Sequence, residues 1–325
     1  MRMEDVARAA GVSAITVSRA LNTPDKLAPA TLRAVQAAIE RLRYLPNLTA
    51  GSLASNRSRI VAVVVPTVAS SIFSDTINGL AQTLAQHRYQ LLLGQTQYKA
   101  SEEAALVEAF LGRRVDGLVL TGVAHARGVR SRLQRAGIPV VETWDLTARP
   151  IDMVVGFSNR AAGHAAARYL TAKGYRSLAF IGGTDDRSSK RLAGFREGAR
   201  EGRAGTVSAA LLPASSSPAD GAAALAGLLA RNAPRAVFCT NDMLAAGVLF
   251  ECVRRRIDVP GRLAVMGFAD LPIAVGIEPS LTSVQVHATE MGQRAGELLL
   301  GRLAGDTVRE RIVDLGYAVV ERSSA

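Results

Sequence analysis

A regular alternation of apolar runs and amphipathic segments, beginning at Arg59, constrains the fold of this chain more than any other feature. Each unit of the alternation spans roughly 25 to 30 residues, which is typical of β-strands that alternate with crossover helices in a parallel sheet. The apolar runs read IVAVVVP, QLLLGQ, GLVLTG, IPVVET, MVVGF, SLAFIGG, AVFCTN, LAVMGF and SVQV. About nine or ten strands exceed one comfortable open sheet, so the pattern predicts an α/β structure of two doubly wound lobes, with the break near Phe157–Asn159.

The first 22 residues have a different residue pattern, which predicts two short helices joined at Gly11. Val6 and Ala7 lie on one side of the first helix, at the spacing of a buried stripe. Gly11 accepts a positive φ at low cost and marks a tight turn, and Ser13 is a good N-cap for a second helix from Ala14 to Leu21. An ordinary helical hairpin would show the same pattern. In a helix-turn-helix, the outer face of the second helix enters the DNA major groove.

A third helix, predicted from Ala30 to Arg43, supplies a surface on which the first two can pack. Pro46 ends this helical region. The segment that follows is short, rich in small polar residues and weakened by Gly51, so we expect it to be mostly unfolded alone in water. Leu53 would be an exposed leucine in this segment, so we expect another surface to bury it. If the segment is only a linker, that surface belongs to the neighbouring domain.

Charge and cysteine content indicate what class of partner the protein binds and where in the cell it is found. A formal net charge of +11 favours a polyanionic partner, and residues 1–58 are a basic region with eight Lys/Arg against four Asp/Glu. Cys239 and Cys252 both lie in apolar runs, which predicts buried, reduced thiols. The absence of a secretion signal or membrane-spanning run predicts a cytoplasmic protein that does not contact a membrane.

The sequence lacks the signatures of an enzyme. It contains no GxSxG, HExxH, P-loop or well-formed GxGxxG motif, and its four histidines have no catalytic spacing. The cysteines have no zinc spacing. We therefore expect no enzymatic activity, no cofactor and no metal site. A transport-type binding protein is the other alternative, but it conflicts with the missing signal and with the basic N-terminal region.

The order of these parts resembles the lactose/galactose (LacI/GalR) repressor family of bacterial transcription regulators. The motifs that carry the resemblance are VARAAGVSAITVSRALN, YLPN followed by Leu53, VDGLVLT, GIPVV, GFSN, RLAGF, AVFCTND and MGFAD. Within the family, the chain is most similar to repressors of gluconate and related sugar-acid operons, through Thr121, His125, VVE followed by Asp145, VGFSN and DDR.

The resemblance implies a domain organisation. It places an all-α helix-turn-helix DNA-binding domain at 1–45, a hinge at 46–58 and a two-lobed, periplasmic-binding-protein-like domain for effector binding and dimerisation at 59–325. The N-lobe is expected at about 59–157 plus 288–316, and the C-lobe at about 158–287 plus 317–325.

The resemblance also implies which residues of the head contact DNA. It makes Ala14 and Ile15 the main base-reading residues, and these side chains offer only apolar contacts to thymine methyl groups. Arg19 beside them can bridge guanine O6 and N7. Phosphate contacts are better assigned to the start and end of the second helix. The DNA-binding residues of the head are therefore Ser13, Ala14, Ile15, Thr16, Ser18, Arg19 and Asn22.

In the hinge, the resemblance makes Leu53 a wedge that enters the minor groove between central base pairs, with Asn47 and Ala50 lining the groove. Two hinge helices must meet at the operator centre. The chain is therefore expected to be a homodimer, or a tetramer, that reads a palindromic operator in double-stranded DNA.

The two-lobed part resembles periplasmic sugar-binding proteins, which close around a ligand at the carboxyl ends of their strands. Arg191 matches the ligand-gripping arginine of the family, and Arg187 and Lys190 add cations that suit a carboxylate or phosphate unless they form a solvated basic loop. His125 fits a surface histidine equally well, and Trp144 could simply fill the core. The ligand-binding residues predicted are Ser71, Phe73, Thr121, His125, Glu142, Trp144, Asn159, Arg187, Lys190, Arg191, Asn241 and Asp270.

Ala269 stands where many members of the family carry an aspartate that grips sugar hydroxyls. Its presence argues against a neutral sugar bound in the usual manner. The sequence therefore predicts a repressor of a sugar-acid catabolism operon, released by gluconate or its phosphate. The alternative is a regulator of the same family that responds to a neutral sugar or uses a corepressor.

Overall fold

The computed structural model describes residues 1–45, 57–69, 71–231 and 233–325. The chain divides into two compact units, Met1–Ser58 and Arg59–Ala325. The described part of the first unit contains α1 (Met3–Ala10), α2 (Ala14–Asn22) and α3 (Pro29–Leu42). Its core is built on Val6, Val17 and Val35, whose side chains are completely buried. The apolar spacing of the sequence predicted this three-helix arrangement.

The turn between α1 and α2 has the predicted geometry. Gly11 has φ 64°, and the backbone N–H of Val12 donates to the carbonyl of Ala7 at 3.0 Å. Ser13 caps α2, because its Oγ accepts a hydrogen bond from the N–H of Thr16 at 3.2 Å. A substituted residue at Gly11 would have to adopt a left-handed backbone conformation, which costs roughly 1–2 kcal/mol.

The second unit alternates strands and helices along its length. In chain order its elements are β1 (Ile60–Val65), α4 (Ser74–Gln86), β2 (Gln90–Gln95), α5 (Ala100–Gly112), β3 (Gly117–Thr121), α6 (Val129–Ala136), β4 (Val140–Thr143), β5 (Met153–Gly156), α7 (Asn159–Ala172), β6 (Leu178–Gly183), α8 (Asp186–Glu201), β7 (Ser208–Leu212), α9 (Pro218–Arg231), β8 (Ala236–Cys239), α10 (Asp242–Arg255), β9 (Ala264–Ala269), α11 (Ile273–Gly276), β10 (Thr282–Val286), α12 (Ala288–Ala304), β11 (Ile312–Asp314) and β12 (Tyr317–Val320). No described helix is long and apolar enough to cross a membrane.

The strands form two six-stranded sheets, one in each lobe. The first sheet has the order β11-β5-β4-β3-β1-β2 and is parallel throughout. The second has the order β12-β10-β9-β8-β6-β7, in which only β12 is antiparallel to its neighbour, β10. The predicted doubly wound α/β fold in two lobes is confirmed.

All nine apolar runs form strands, but three further strands were not predicted. β7, β11 and β12 all lie at sheet edges and are mostly half-exposed. Edge strands are buried less completely than central strands, so their apolar pattern is weaker. β2 is also an edge strand, and its run QLLLGQ still predicted it. The chain therefore passes between the lobes three times, after β5, β10 and β11.

Aromatic side chains link the two lobes beneath the space between the sheets. Phe73, Trp144, Phe157 and Phe268 form a continuous row with ring centroids 5.1, 6.1 and 5.9 Å apart. The first three belong to the first lobe and Phe268 to β9 of the second. Such pairs stabilise by about 0.5–1.5 kcal/mol each beyond the area they bury, so the row is a rigid floor for any site above it. Cys239 and Cys252 are buried free thiols, as predicted.

Candidate functional site

The outer face of α2 is the first candidate surface. Ile15 has 66% of its surface exposed, and Arg19 is also exposed. Thr16 and Ser18 are half-buried, and the hydroxyl of Thr16 lies 3.0 Å from Ser13 Oγ. Ala14 is half-buried and packs against the core of the unit, and its contact with a base stays a prediction. Among the described side chains of α2, Ile15 and Arg19 are therefore the most available to a partner.

The hinge residues named from the sequence, Asn47, Ala50 and Leu53, lie outside the described residues. Asn22 is the last residue of α2, and its side chain is also outside the description.

A cavity of about 260 Å³, here called the first compartment, lies between the two lobes. One wall comes from the strand ends of the first sheet and includes Phe73, Tyr98 and Trp144. The opposite wall comes from the second sheet and includes Asp185, Arg187, Ser188, Arg191, Thr240 and Asn241. This is the crevice outside the carboxyl ends of strands, where doubly wound proteins bind their ligands.

Arg191 is held rigidly in the wall of the first compartment. Its Nε donates to Asn159 Oδ1 at 2.8 Å, its Nη1 donates to the carbonyl of Thr240 at 2.7 Å, and its guanidinium lies 3.9 Å from the ring centroid of Phe268. Burial lowers the pKa of Arg191 to about 10, and the charge of Asp185 opposes this shift. Arg191 therefore stays protonated at neutral pH.

Close helix packing fixes the position of Arg191 on α8. A Cβ added at Gly163 of α7 would collide with the carbonyl of Arg191, and one added at Gly194 of α8 would collide with the carbonyl of Arg160. The two glycines let α7 and α8 cross backbone against backbone, so that the side chain of Arg191 is directed by a rigid helix pair.

Arg187 is buried in the same wall and is incompletely bonded. Its Nη1 has no hydrogen-bond acceptor among the described residues, and its Nε lies 3.7 Å from Asp185 Oδ1, too far for a hydrogen bond. The guanidinium lies 5.2 Å from the ring centroid of Phe73. A buried, unpaired donor is costly, so this atom marks a place where a ligand acceptor would be favourable.

Among the described residues, Asp185 is the only carboxylate that lines the first compartment, and it already accepts hydrogen bonds. It caps α8, accepting hydrogen bonds from the backbone N–H of Ser188 at 3.3 Å and from Ser188 Oγ at 2.6 Å. Burial opposes its ionisation, but the charges of Arg187 and Arg191 outweigh burial and hold the pKa of Asp185 below its ordinary value. The first compartment thus contains two positively charged guanidinium groups and one carboxylate, and that carboxylate already accepts hydrogen bonds from Ser188.

A second compartment of about 270 Å³ shares Tyr98, Asp185 and Arg187 with the first. The rest of its lining comes from Asp186 of α8, from the carboxyl ends of β1, β2 and β3 with the loops that follow them, and from the start of α5. His125 lies in its wall between two carboxylates: Nδ1 is 2.7 Å from Glu103 Oε1, and Nε2 is 2.9 Å from Glu142 Oε1. Burial disfavours the charge on His125, but the hydrogen bonds to Glu103 and Glu142 outweigh it and raise the pKa of His125 to about 9.

The structure brings together some of the ligand-binding residues predicted from the sequence. Five of them line the first compartment, namely Phe73, Trp144, Arg187, Arg191 and Asn241. Thr121 and His125 line the second compartment, together with Arg187. Trp144 is both a core residue and part of the floor, since it is 1% exposed and its Nε1 donates to Thr76 Oγ1 at 3.2 Å.

The other predicted ligand residues line neither compartment, and their contact with a ligand stays a prediction. Glu142 is completely buried, and its second oxygen accepts from the N–H of Ile151 at 2.6 Å. Asn159 uses its side chain to hold Arg191 and the carbonyl of Trp144. Ser71 is exposed outside both compartments.

Lys190 and Asp270 are likewise engaged by protein groups. Lys190 Nζ lies 2.6 Å from Asp145 Oδ2 and 2.8 Å from Asp186 Oδ2, so its charge is already paired with two carboxylates. Asp270 pairs with Arg322 Nη1 at 2.6 Å and accepts from Gln285 Nε2 at 3.1 Å. Asp270 lines a separate cavity of about 420 Å³ beside the start of α12.

Tyr98 is the main residue of the cleft that the sequence reasoning missed. It follows β2, and it lies with Gln97 at positive φ, 61° and 51°. Two such residues in succession are costly, and backbone strain of this kind concentrates at functional sites. Burial raises the pKa of Tyr98 above its ordinary value. Applying the strand-end rule to β2 as well as to its neighbours would have found it.

Comparison with known proteins identifies the family. Residues 2–47 match the family of bacterial regulatory proteins called lacI, and residues 167–325 match a periplasmic binding protein-like domain. The chain is 38% identical over 328 residues to the HTH-type transcriptional regulator GntR of Pseudomonas aeruginosa, covering 99% of this chain and 95% of the relative. The chain belongs to the LacI family. The GntR regulator of Escherichia coli strain K12 is 33% identical over 320 residues, covering 98% of this chain and 96% of that protein.

Solved structures of LacI-family members share the whole fold. A LacI-family transcriptional regulator from Silicibacter pomeroyi superimposes with a TM-score of 0.91 at 32% identity, over 100% of this chain and 99% of that one. The transcription regulator GntR from Chromobacterium violaceum gives a TM-score of 0.79 at 36% identity, over 82% of this chain and 98% of that one. This LacI-family protein is therefore a DNA-binding transcriptional regulator, and its relatives are regulators rather than enzymes.

Proposed function

We propose that this regulator represses a sugar-acid catabolism operon and leaves its operator when a gluconate-like acid binds the first compartment. The observation that carries the proposal is the unpartnered, buried Nη1 of Arg187 in a compartment that also holds Arg191. A carboxylate there would satisfy the unpaired donor with a charge-assisted hydrogen bond. A neutral sugar would leave two guanidinium groups without a counter-charge from the ligand.

The rest of the first compartment suits the polyol chain of such an acid. Asn241, Tyr98 and Ser188 carry neutral donors and acceptors that hydroxyl groups can bond. Ala269 lines the separate cavity beside the start of α12 and does not take part in this compartment.

Operator release would follow from closure of the lobes around the acid. The dimer that reads a palindrome would use the exposed apolar side chains of α10, Phe250 and Val253, which lie one helical turn apart and are 51% and 68% exposed. Rotation of the lobes would separate the hinge segments that carry Leu53, Asn47 and Ala50, and the minor-groove contacts would be lost. Linkage then requires operator DNA to weaken effector binding by the factor by which the effector weakens DNA binding.

Calorimetric titration of gluconate and glucose tests the effector. We expect gluconate to bind the wild type, and Arg187→Met to lower its affinity by about 10- to 100-fold because a charge-assisted hydrogen bond is lost. Arg200→Met removes the same charge from an exposed site on the same helix and should leave the affinity unchanged. Tight binding of glucose, or an Arg187→Met variant that binds gluconate as well as the wild type, would refute the proposal.

The base-reading role of α2 is tested by Arg19→Ala. We expect the variant to lose about 1–3 kcal/mol of operator affinity and to relax the preference at one base pair in each half-site. Binding should be measured on the operator and on single-base variants at two salt concentrations. The control is Arg33→Ala on α3, which removes a charge from the same unit without touching α2. Equal weakening of all sequences by Arg19→Ala would assign Arg19 to a phosphate instead.

A further inference from the structure

Positive charge in the second lobe is concentrated at the end of its sheet opposite the cleft. At that end each helix finishes and the next strand begins, because crossover helices run back against the direction of the parallel strands. The last turns of α7, α8, α9 and α10, with the connections that follow them, carry ten Lys/Arg and two Asp/Glu. The ten basic residues, here called the arginine face, are Lys173, Arg176, Arg200, Arg203, Arg231, Arg235, Arg254, Arg255, Arg256 and Arg262.

Helix ends alone do not account for this charge. Cations near a helix C-terminus offset the helix dipole, and they should do so equally in both lobes. The last turns of α4, α5, α6 and α12 in the first lobe, with the connections that follow them, carry seven Lys/Arg and three Asp/Glu. The net charge there is +4, compared with +8 for the same parts of the second lobe.

Four members of the arginine face follow the order of the strands across the sheet. β9, β8, β6 and β7 are neighbours in that order, and they are preceded by Arg262, Arg235, Arg176 and Arg203. Backbone hydrogen bonds join these strand ends, since the N–H of Arg235 donates to the carbonyl of Ser177 at 2.8 Å and its carbonyl accepts from Ala264 at 2.9 Å. Neighbouring strands lie about 4.8 Å apart, so the row spans roughly 15 Å. That length of duplex DNA carries about nine phosphate charges.

The side chains of the arginine face are all exposed, and most of them lack a counter-charge. Glu251 pairs with Arg254 at 2.6 Å and with Arg255 at 2.5 Å, and Lys173 pairs with Glu321 at 2.5 Å. In the described part of the chain, no carboxylate lies within 4 Å of the other seven basic groups. Four of those seven also make no side-chain hydrogen bond to a described residue, namely Arg200, Arg203, Arg256 and Arg262.

We propose that the arginine face binds a second segment of double-stranded DNA through its phosphates, in addition to the segment held by the helix-turn-helix. Nine of the ten basic residues are arginines, whose planar guanidinium donates two parallel hydrogen bonds to a phosphate. Phosphate contacts carry no sequence information, so this binding is independent of sequence. A protein partner would need an apolar centre, and Val253 is the one large exposed apolar side chain among the described residues of these turns and connections.

A bridging assay with the full-length protein tests the arginine face. A biotinylated random-sequence duplex is immobilised, the protein is bound at about 50 mM salt, and capture of a second, fluorescent random-sequence duplex is measured per retained protein. We expect the wild type to capture the second duplex. The combined variant should capture it at least about 10-fold less, because four phosphate contacts are lost. This variant carries Arg200→Gln, Arg203→Gln, Arg256→Gln and Arg262→Gln, and it should still be retained on the immobilised duplex through its helix-turn-helix.

A matched variant removes four exposed charges elsewhere in the same unit and should bridge as well as the wild type. Its substitutions are Arg127→Gln, Arg149→Gln, Arg168→Gln and Arg196→Gln. A smaller variant with only Arg256→Gln and Arg262→Gln should lose part of the capture, which keeps the test valid if the combined variant does not fold. Equal bridging by the combined and matched variants would overturn the proposal. Capture of fluorescent polyglutamate in place of the duplex would also overturn it, and would assign the arginine face to an acidic protein.

Discussion

His125→Leu is expected to lower the free energy of unfolding by about 3–5 kcal/mol, as removal of one partner from a buried ion pair does. The side chain of His125 is 4% exposed and lies between Glu103, which is 13% exposed, and Glu142, which is completely buried. Without the imidazolium, the partners of Glu142 in the described part of the chain are the N–H of Ile151 and, at a distance of 3.9 Å, Arg130. Urea unfolding at neutral pH measures the loss.

His164 supplies a matched control for this variant. Its Nε2 lies 2.8 Å from Glu201 Oε2, but the side chains are 35% and 53% exposed. Because exposed pairs contribute at most about 1 kcal/mol, His164→Leu should cost far less than His125→Leu. Equal costs for the two variants would contradict the assignment of His125 to a buried ionic cluster.

The contribution of His125 should also depend on pH. Two carboxylate acceptors require N–H groups on both ring nitrogens, which agrees with the pKa raised from 6.5 to about 9. A raised pKa stabilises the folded state fully below 6.5, and the stabilisation is lost as the pH rises through about 9. The difference in unfolding free energy between wild type and His125→Leu should therefore shrink across this range. A difference that stays constant would mean that His125 is neutral in the folded protein.

His125 and Glu142 illustrate what a sequence can and cannot predict about a cleft. Both follow or end a strand of the first sheet, so the strand-end rule correctly brought them to the same edge. The rule does not tell whether a polar side chain faces a ligand or another side chain. Here the histidine and the glutamate bind each other, and only His125 also lines a compartment.

The fold was more predictable than the site, because each buried parallel strand is encoded by a continuous apolar run. IVAVVVP of β1 and AVFCTN of β8 are apolar on both faces, since helices cover both sides of the sheet. β7, with the sequence SAALL, is half-exposed at an edge and has no such run. β12 pairs antiparallel with β10 after a return from the other lobe, a pairing that local sequence does not encode.

Arg191 was the best-predicted residue of the cleft, yet its environment could not be inferred from the RLAGF motif alone. Its partners come from α7, from the end of β8 and from β9, which are distant in sequence. Gly194, the glycine of the motif, is also needed, because it has no Cβ that would collide with the backbone of α7. Close helix crossings of this kind become visible only in three dimensions.

Arg191→Ala is expected to abolish effector binding at concentrations that saturate the wild type, and to destabilise the protein. The side chain is 4% exposed, and its removal leaves Asn159 Oδ1 and the carbonyl of Thr240 without their donors. Unpaired buried groups cost about 1–3 kcal/mol each, so the loss of unfolding free energy should be of that order or greater. Gluconate titration and urea unfolding measure the two effects separately.

Two further variants distinguish a binding role from a purely structural one. Arg191→Lys keeps the charge but loses the planar fork that reaches two partners, so we expect it to recover part of the stability and little of the effector affinity. Arg196→Ala removes the same charge from the exposed side of α8 and should leave both properties unchanged. An Arg191→Lys variant with full stability and wild-type affinity would show that charge alone suffices. A stable Arg191→Ala variant that still binds gluconate would remove Arg191 from the effector site.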